Sequence, residues 1–339
     1  MIKTNQTIHE NFCQEFNKNL GVIAKRIQPK NILESKKSSN SLSQKRALNL
    51  ILSDLHLHSL LDKRELPYQY GEVEEARRLA AIIRSTIDYK THYRDETVLH
   101  VHVLGDIIQN MLHDPRDGAP LAEQAAAAVS LLTQAIQLLS LHFLDIVVHC
   151  TSGNHGRNVA RHHGRAITQK WDSIESIVYY SVKMACAELI NVKFEIDYKP
   201  YYDCNVLGHW MFMTHGDTVI NPGNPSKNIV VSNVRRQINE INATAAHGKR
   251  YNLFACGHVH TASQTHLPGN CVFLTNGALV PPDSYAVSLG IMDSTCGMWL
   301  FETTEKYVFG DSRLIIVNSQ DDLDASLDCL IKPFTSLRG

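Results

Sequence analysis

The chain reads as an α/β protein made of two packed sheets with helices on their outer sides. Three features point that way. Short apolar runs alternate with helix-periodic segments in the first half. Strand-like runs crowd the second half. Polar motifs stand directly after the apolar runs, where loops leave a sheet.

Ala47–Ser53 (ALNLILS) is an apolar run closed by a polar residue, as a strand buried on both faces is. Glu72–Tyr89 has helical periodicity, and Val98–Leu104 (VLHVHVL) reads as a second strand. Leu121–Leu141 is rich in Ala, Leu and Gln, all good helix formers. Ile146–Cys150 is a third strand, Trp171–Ile190 a helix and Val192–Ile196 a strand after it. Val206–Thr214, Leu253–Cys256, Gln264–Leu267 and Val272–Thr275 read as further strands, with a helix at Ile229–Ala246 between the first two.

The ends differ in character. Residues 1–46 read as a basic arm, with a short amphipathic helix at Asn11–Ile27 and linker composition at Ser35–Ser43. Residues 47–318 form the α/β domain, and 319–339 read as an acidic tail that begins around Asp321–Asp328. There is no internal repeat.

Composition narrows the function. An apolar fraction of 44% and a charged fraction of 20% suit a globular protein. A net charge of −1 gives the whole molecule no strong field toward nucleic acid or membrane. That charge is unevenly placed, because Lys18–Arg46 carries +7 and leaves −8 on the remainder. The eight cysteines (13, 150, 186, 204, 256, 271, 296 and 329) form no CxxC pair, which excludes a zinc ribbon or a thioredoxin-type site. Met1–Asn40 lacks an apolar signal core, so reduced thiols and a cytoplasmic location are expected. No apolar run reaches the roughly 18 residues that span a bilayer, and no membrane partner is expected.

Five short motifs carry the chemistry, each just after an expected strand. They are Asp54-Leu55-His56, Gly105-Asp106, Gly153-Asn154-His155, His215-Gly216-Asp217 and Gly257-His258-Val259-His260. Ligands in open α/β sheets bind where loops leave the carboxyl ends of strands, and a glycine there lets the backbone turn sharply. The motifs offer two carboxylates, one amide oxygen and four imidazoles. That mixture of hard oxygen and borderline nitrogen suits Mn²⁺, Fe or Zn²⁺ better than Ca²⁺ or a thiolate-loving metal, and Mn²⁺ is the expected ion. A carboxylate able to bridge suggests two divalent ions, which together activate water and clamp a phosphoryl oxygen.

In this order the motifs resemble the calcineurin-like metallophosphoesterases, and the pattern is nearest to the nucleases of that superfamily. The resemblance covers about residues 47–318. It implies a four-layer α/β/β/α sandwich of two mixed sheets with flanking helices. It also implies that Asp54, His56 and His260 hold one metal, that Asp106 bridges both, and that Asn154, His215 and His258 complete the second. His155 is then the proton donor to the leaving oxygen and not a ligand. Two positions depart from the common pattern. Gln109 stands where many members have a second Asp that orients the acid histidine, and Gly156 follows His155 where many have an acid.

The expected substrate is a phosphate ester. Arg157, Arg161 and Arg165 follow the third motif with no intervening acid and, together with the basic arm, favour DNA or RNA. A phosphomonoesterase or a cyclic-nucleotide phosphodiesterase is the alternative. A catalytically inactive scaffold is a third reading, against which the complete ligand set argues. The run Asp54–Ser59 also resembles the opening H-x-H of PHP-type phosphoesterases, which places His58 near the metals. A homo-oligomer is left open.

Overall fold

The computed structural model describes residues 45–90, 98–158, 170, 172–223, 229–318 and 330–335. The expected helix at Asn11–Ile27, the Ser35–Ser43 linker, Arg161, Arg165, Trp171 and Asp321–Asp328 lie outside those residues.

The first sheet has six strands. β1 (Arg46–Leu52), β2 (Val98–Val103), β3 (Asp145–Cys150) and β4 (Val192–Ile196) run parallel and in order. β10 (Gly297–Thr304) pairs antiparallel with β1, and β11 (Ser312–Ile316) pairs antiparallel with β10 at the far edge. The crossovers carry α1 (Glu72–Lys90), α2 (Leu121–Ser140) and α3 (Ile174–Ala185). The second sheet contains β5 (Tyr201–Val206), β6 (His209–Thr214), β7 (Tyr251–Cys256), β8 (Ser263–Leu267) and β9 (Cys271–Thr275), ordered β5-β6-β7-β9-β8. α4 (Val231–Thr244) lies between β6 and β7 in sequence, and the single-turn α5 (Ser284–Ser288) precedes β10.

Three buried clusters define four layers. Leu48, Leu50 and Leu52 of β1 pack under α1–α3, whereas Ala47 and Ile51 of the same strand face the second sheet. Met211, Met213, Leu253 and Leu274 meet them across the sandwich. Phe212, Phe254 and Phe273 turn the other way and bury Val234 and Ile238 of α4. The two-residue period of each strand therefore serves two cores at once. The order is helices, six-stranded sheet, five-stranded sheet, helix, as expected.

Three features differ from the sequence reading. The run Val206–Thr214 is not one strand. It is the end of β5, a turn at Leu207 (φ 51°) and Gly208 (φ 92°), and then β6. Two positive φ values in succession give the two-residue turn that matches strand twist, and Asn205 Oδ1 accepts from Gly208 N at 3.0 Å. The apolar run hides that break. β10, β11 and α5 fall in stretches that the apolar runs leave unassigned. In the C-terminal segment, Ile331 and Phe334 are buried, and Lys332 exchanges backbone hydrogen bonds with the Gln134 side chain on α2.

Several histidines are structural. His102 lies between the sheets, where Nε2 faces Asn49 Oδ1 at 3.1 Å and Nδ1 faces Tyr202 Oη at 2.8 Å. Asn49 donates its amide to Thr303 Oγ1, so His102 Nε2 carries the proton and the ring is neutral. His149 is held between Glu195 and His100, both at 3.1 Å. His102, His149 and Cys204 form a grouping of metal-ligand types, yet both histidines already have partners at both nitrogens. The six cysteines among the described residues are unpaired and buried. No described helix is long and apolar enough to cross a membrane.

Candidate metal centre

The loops after β1, β2, β3, β6 and β7 converge, and each brings one motif. β1 leads into Asp54 and His56, whose backbone N–H groups donate to Gly105 O and Asp106 O at 3.0 Å. The first two motifs are thus laced together before any side chain acts. Ten non-glycine residues among those described have positive φ, and five of them are Asp54, His56, Asp106, His258 and His260 (φ 44° to 70°). Each such backbone costs roughly 1–3 kcal/mol and persists only where the surroundings impose it. Their concentration on one set of side chains marks a functional site.

Glycine is required here by close approach. A Cβ on Gly153 falls 2.0 Å from Asp106 Oδ1, and one on Gly257 falls 2.2 Å from Asp54 Oδ2. These two glycines leave room for the carboxylates of the neighbouring loops, which is more specific than the sharp turn expected from sequence.

The side chains form three overlapping groups of ligand type. Asp54, His56 and His260 make one, Asp106, His215 and His258 another, and His56, Asp106 and His155 join them. Asp106 Oδ2 lies 2.9 Å from His215 Nε2, and Asn154 Oδ1 lies 3.0 Å from the same nitrogen. His56 Nε2 and His260 Nε2 face one another at 3.1 Å, and Asp54 Oδ1 is 3.4 Å from His260 Nε2. All seven ligand positions named from sequence are therefore in one place.

This donor set fits divalent metal. Two imidazole nitrogens facing each other, with carboxylates beside them, share lone pairs better with a cation than with each other. His215 Nδ1 is hydrogen-bonded to Leu104 O at 2.8 Å, which leaves Nε2 for the centre. Burial pushes His215 down but the Asp106 carboxylate more than offsets it, and His215 is raised to about 9. Burial and then His215 lower His258 to about 4. Burial, His155 and His260 hold His56 well below its ordinary value.

His155 is buried, with its backbone N–H on Asp106 Oδ1 at 2.8 Å. Its Nδ1 contacts Gln109 O at 2.6 Å, so Nδ1 donates and the ring is oriented by a backbone carbonyl. The Gln109 side chain makes no hydrogen bond to the ring. It donates to Asp283 Oδ2 at 3.0 Å. The ring of His113 lies 5.0 Å from that of His155 and stacks on Tyr285 at 4.0 Å. No motif around His113 signals that position.

Glu175 is the other residue that sequence reading misses. It sits in the first turn of α3 and is fully buried. Oε1 accepts Ile107 N at 2.5 Å and Oε2 accepts Gly153 N at 2.7 Å, so one carboxylate ties together the loops of Asp106 and Asn154. Burial, followed by the charge of Asp106, raises it to about 7.

His58 turns away from the centre. Its ring lies 3.7 Å from Glu72 and Glu75 and 3.8 Å from Glu123, at the starts of α1 and α2. This geometry does not support a ligand role for it. Of the arginines expected to meet substrate, Arg157 donates Nε to Asn154 O at 2.7 Å and so stands beside the centre, while Arg161 and Arg165 lie outside the described residues. Lys170, from the same basic stretch, is buried against Asp217 Oδ1 at 3.0 Å and anchors the fold.

No protein-family model and no curated protein sequence matches the chain. Solved structures similar to it include a dimetal phosphatase from Danio rerio at 9% identity and TM-score 0.36, over 80% of this chain and 99% of that one. A calcineurin-like phosphoesterase from Bacillus subtilis is similar at 12% identity and TM-score 0.37, over 86% of this chain and 96% of that one. A 5'-nucleotidase from Candida albicans is similar at 10% identity and TM-score 0.32, over 86% of this chain and 58% of that one. At these scores the chemistry is inferred from the residues alone.

Proposed function

We propose that the chain is a dinuclear-metal hydrolase of phosphate esters, of the calcineurin-like type. The observation that carries this reading is that Asp106 belongs to two ligand-type groups, one with His215 and His258 and one with His56 and His155, and that His56 in turn joins Asp54 and His260. Asp54, His56 and His260 hold one ion, Asn154, His215 and His258 hold the other, and Asp106 serves both. Two divalent ions bound there supply Lewis acidity toward a phosphoryl oxygen and lower the pKa of water. The protein's own part is positional and protonic. Leu104 O and Gln109 O fix the His215 and His155 rings through their Nδ1–H groups, and His155 gives a proton from Nε2 to the departing oxygen.

The substrate we favour is a phosphodiester in nucleic acid. Support comes from Arg157 beside Asn154 and from the +7 segment in an otherwise acidic chain. The test is a panel with Mn²⁺ present: bis-p-nitrophenyl phosphate, p-nitrophenyl phosphate, cyclic nucleotides, and single- and double-stranded DNA. The diester and DNA should be cut. DNA affinity should fall with salt at a slope of about −0.9 per phosphate contact. Removing residues 1–44 should flatten that slope and spare the small diester. The truncation stops there because Arg46 belongs to β1 and pairs with Glu302 at 3.2 Å. Turnover of the monoester with no DNA binding at low salt selects the small-phosphate alternative.

A further inference from the structure

β4 is the last strand of its sheet, and no described residue pairs with its outer edge. Its direction of bonding is set by its parallel partner. Asn191 O accepts from Ile146 N, and Asp197 N donates to Cys150 O. By alternation the odd-numbered residues bond inward to β3, so the N–H and C=O groups of Phe194 and Ile196 and the C=O of Val192 point outward, while Val192 N–H donates to Leu189 O at 3.0 Å. Free edges of this kind are often guarded by charged side chains, lysine above all, or by proline. Here the edge reads Val-Lys-Phe-Glu-Ile, with one charge of each sign placed symmetrically about Phe194.

That symmetry has a geometric meaning. Two copies paired antiparallel about a two-fold axis at Phe194 bring Lys193 opposite Glu195 of the mate, and Val192 opposite its Ile196. Phe194 then exchanges both of its bonds with Phe194 of the mate, and Ile196 N–H meets Val192 O of the mate. Lys193 and Glu195 fall in the non-hydrogen-bonded pairs, where side chains approach most closely.

A five-residue strand pair alone falls short of the roughly 1,000 Å² of a stable interface. The neighbouring helix supplies more. α3 buries Val178, Tyr179 and Val182 against the sheet and leaves Ile177 (66% exposed), Tyr180 and Met184 (77% exposed) as a second stripe. Tyr198, after β4, joins that stripe through its hydrogen bond to Tyr180, and Ile190, before β4, is fully exposed.

We propose that the chain forms an isologous homodimer through antiparallel pairing of β4 with β4 of a second copy, covered by the exposed stripe of α3. The 38.1 kDa chain should sediment at twice its mass. Lys193→Glu and Glu195→Lys each set like charges opposite one another and should give monomers. Mixing the two variants in equal amounts should restore a dimer, because the Lys193→Glu strand carries two acids and the Glu195→Lys strand two bases. The double reversal in one chain should dimerise with itself. Glu195 also contacts His149, so thermal melting of each variant confirms that loss of association is not loss of fold. A wild-type monomer at every concentration, a dimer that survives either single reversal, or mixed variants that fail to associate overturns the proposal.

Discussion

Asp106 offers one carboxylate oxygen to His215 and the other to the backbone of His155, and its backbone carbonyl accepts from His56 N. His155 is held at its backbone N–H by Asp106 and at Nδ1 by Gln109 O, which leaves Nε2 as the nitrogen for proton donation. His155→Ala should keep its metal and lose about 10²–10⁴-fold in rate, the usual size of general acid catalysis. The loss should shrink on p-nitrophenyl esters, whose leaving group needs little protonation. Loss of metal together with rate would make His155 a ligand instead. At this scale the sequence is highly legible, because a ligand must be a particular residue type and its motif survives in one dimension. What it conceals is support by backbone groups. Gln109 is conspicuous by its side chain, yet its carbonyl is what orients His155.

Elements bring those residues together through loops that must be held in pairs. The tie between the Asp106 and Asn154 loops comes from α3, through Glu175. Glu175→Gln keeps the size but replaces one acceptor oxygen with a donor that faces an N–H group. Metal should bind about 10–100-fold more weakly, as when other outer supports of metal ligands are lost. Turnover at saturating metal should stay close to that of the parent. An unchanged metal half-saturation would reduce Glu175 to packing. Nothing near Glu175 in the sequence marks it, because its partners are backbone amides 68 and 22 residues away. The β5–β6 hairpin was hidden for a related reason. Leu207 and Gly208 interrupt an apolar run by dihedral angle more than by polarity. β1, in contrast, shows its two buried faces openly in ALNLIL.

The whole molecule stacks helices, two sheets and a further helix, with the parallel strands ending at one place. That architecture follows from strand–helix alternation early and strands late, so it could be read in outline, whereas β10 and β11 could not. β10 pairs with β1, far off in sequence, and β11 follows its partner β10 without an intervening helix. This end of the sandwich is proposed to hold two metals that act together on a phosphate ester. Their joint action is tested by adding Mn²⁺ to metal-stripped protein while recording bound metal per chain and hydrolysis of bis-p-nitrophenyl phosphate on the same samples. Two ions per chain should bind, activity should appear only as the second is taken up, and Asp106→Asn should weaken both sites and abolish turnover. Hydrolysis that is indifferent to metal, or an Asp106→Asn protein that keeps two ions and a near-normal rate, would contradict it.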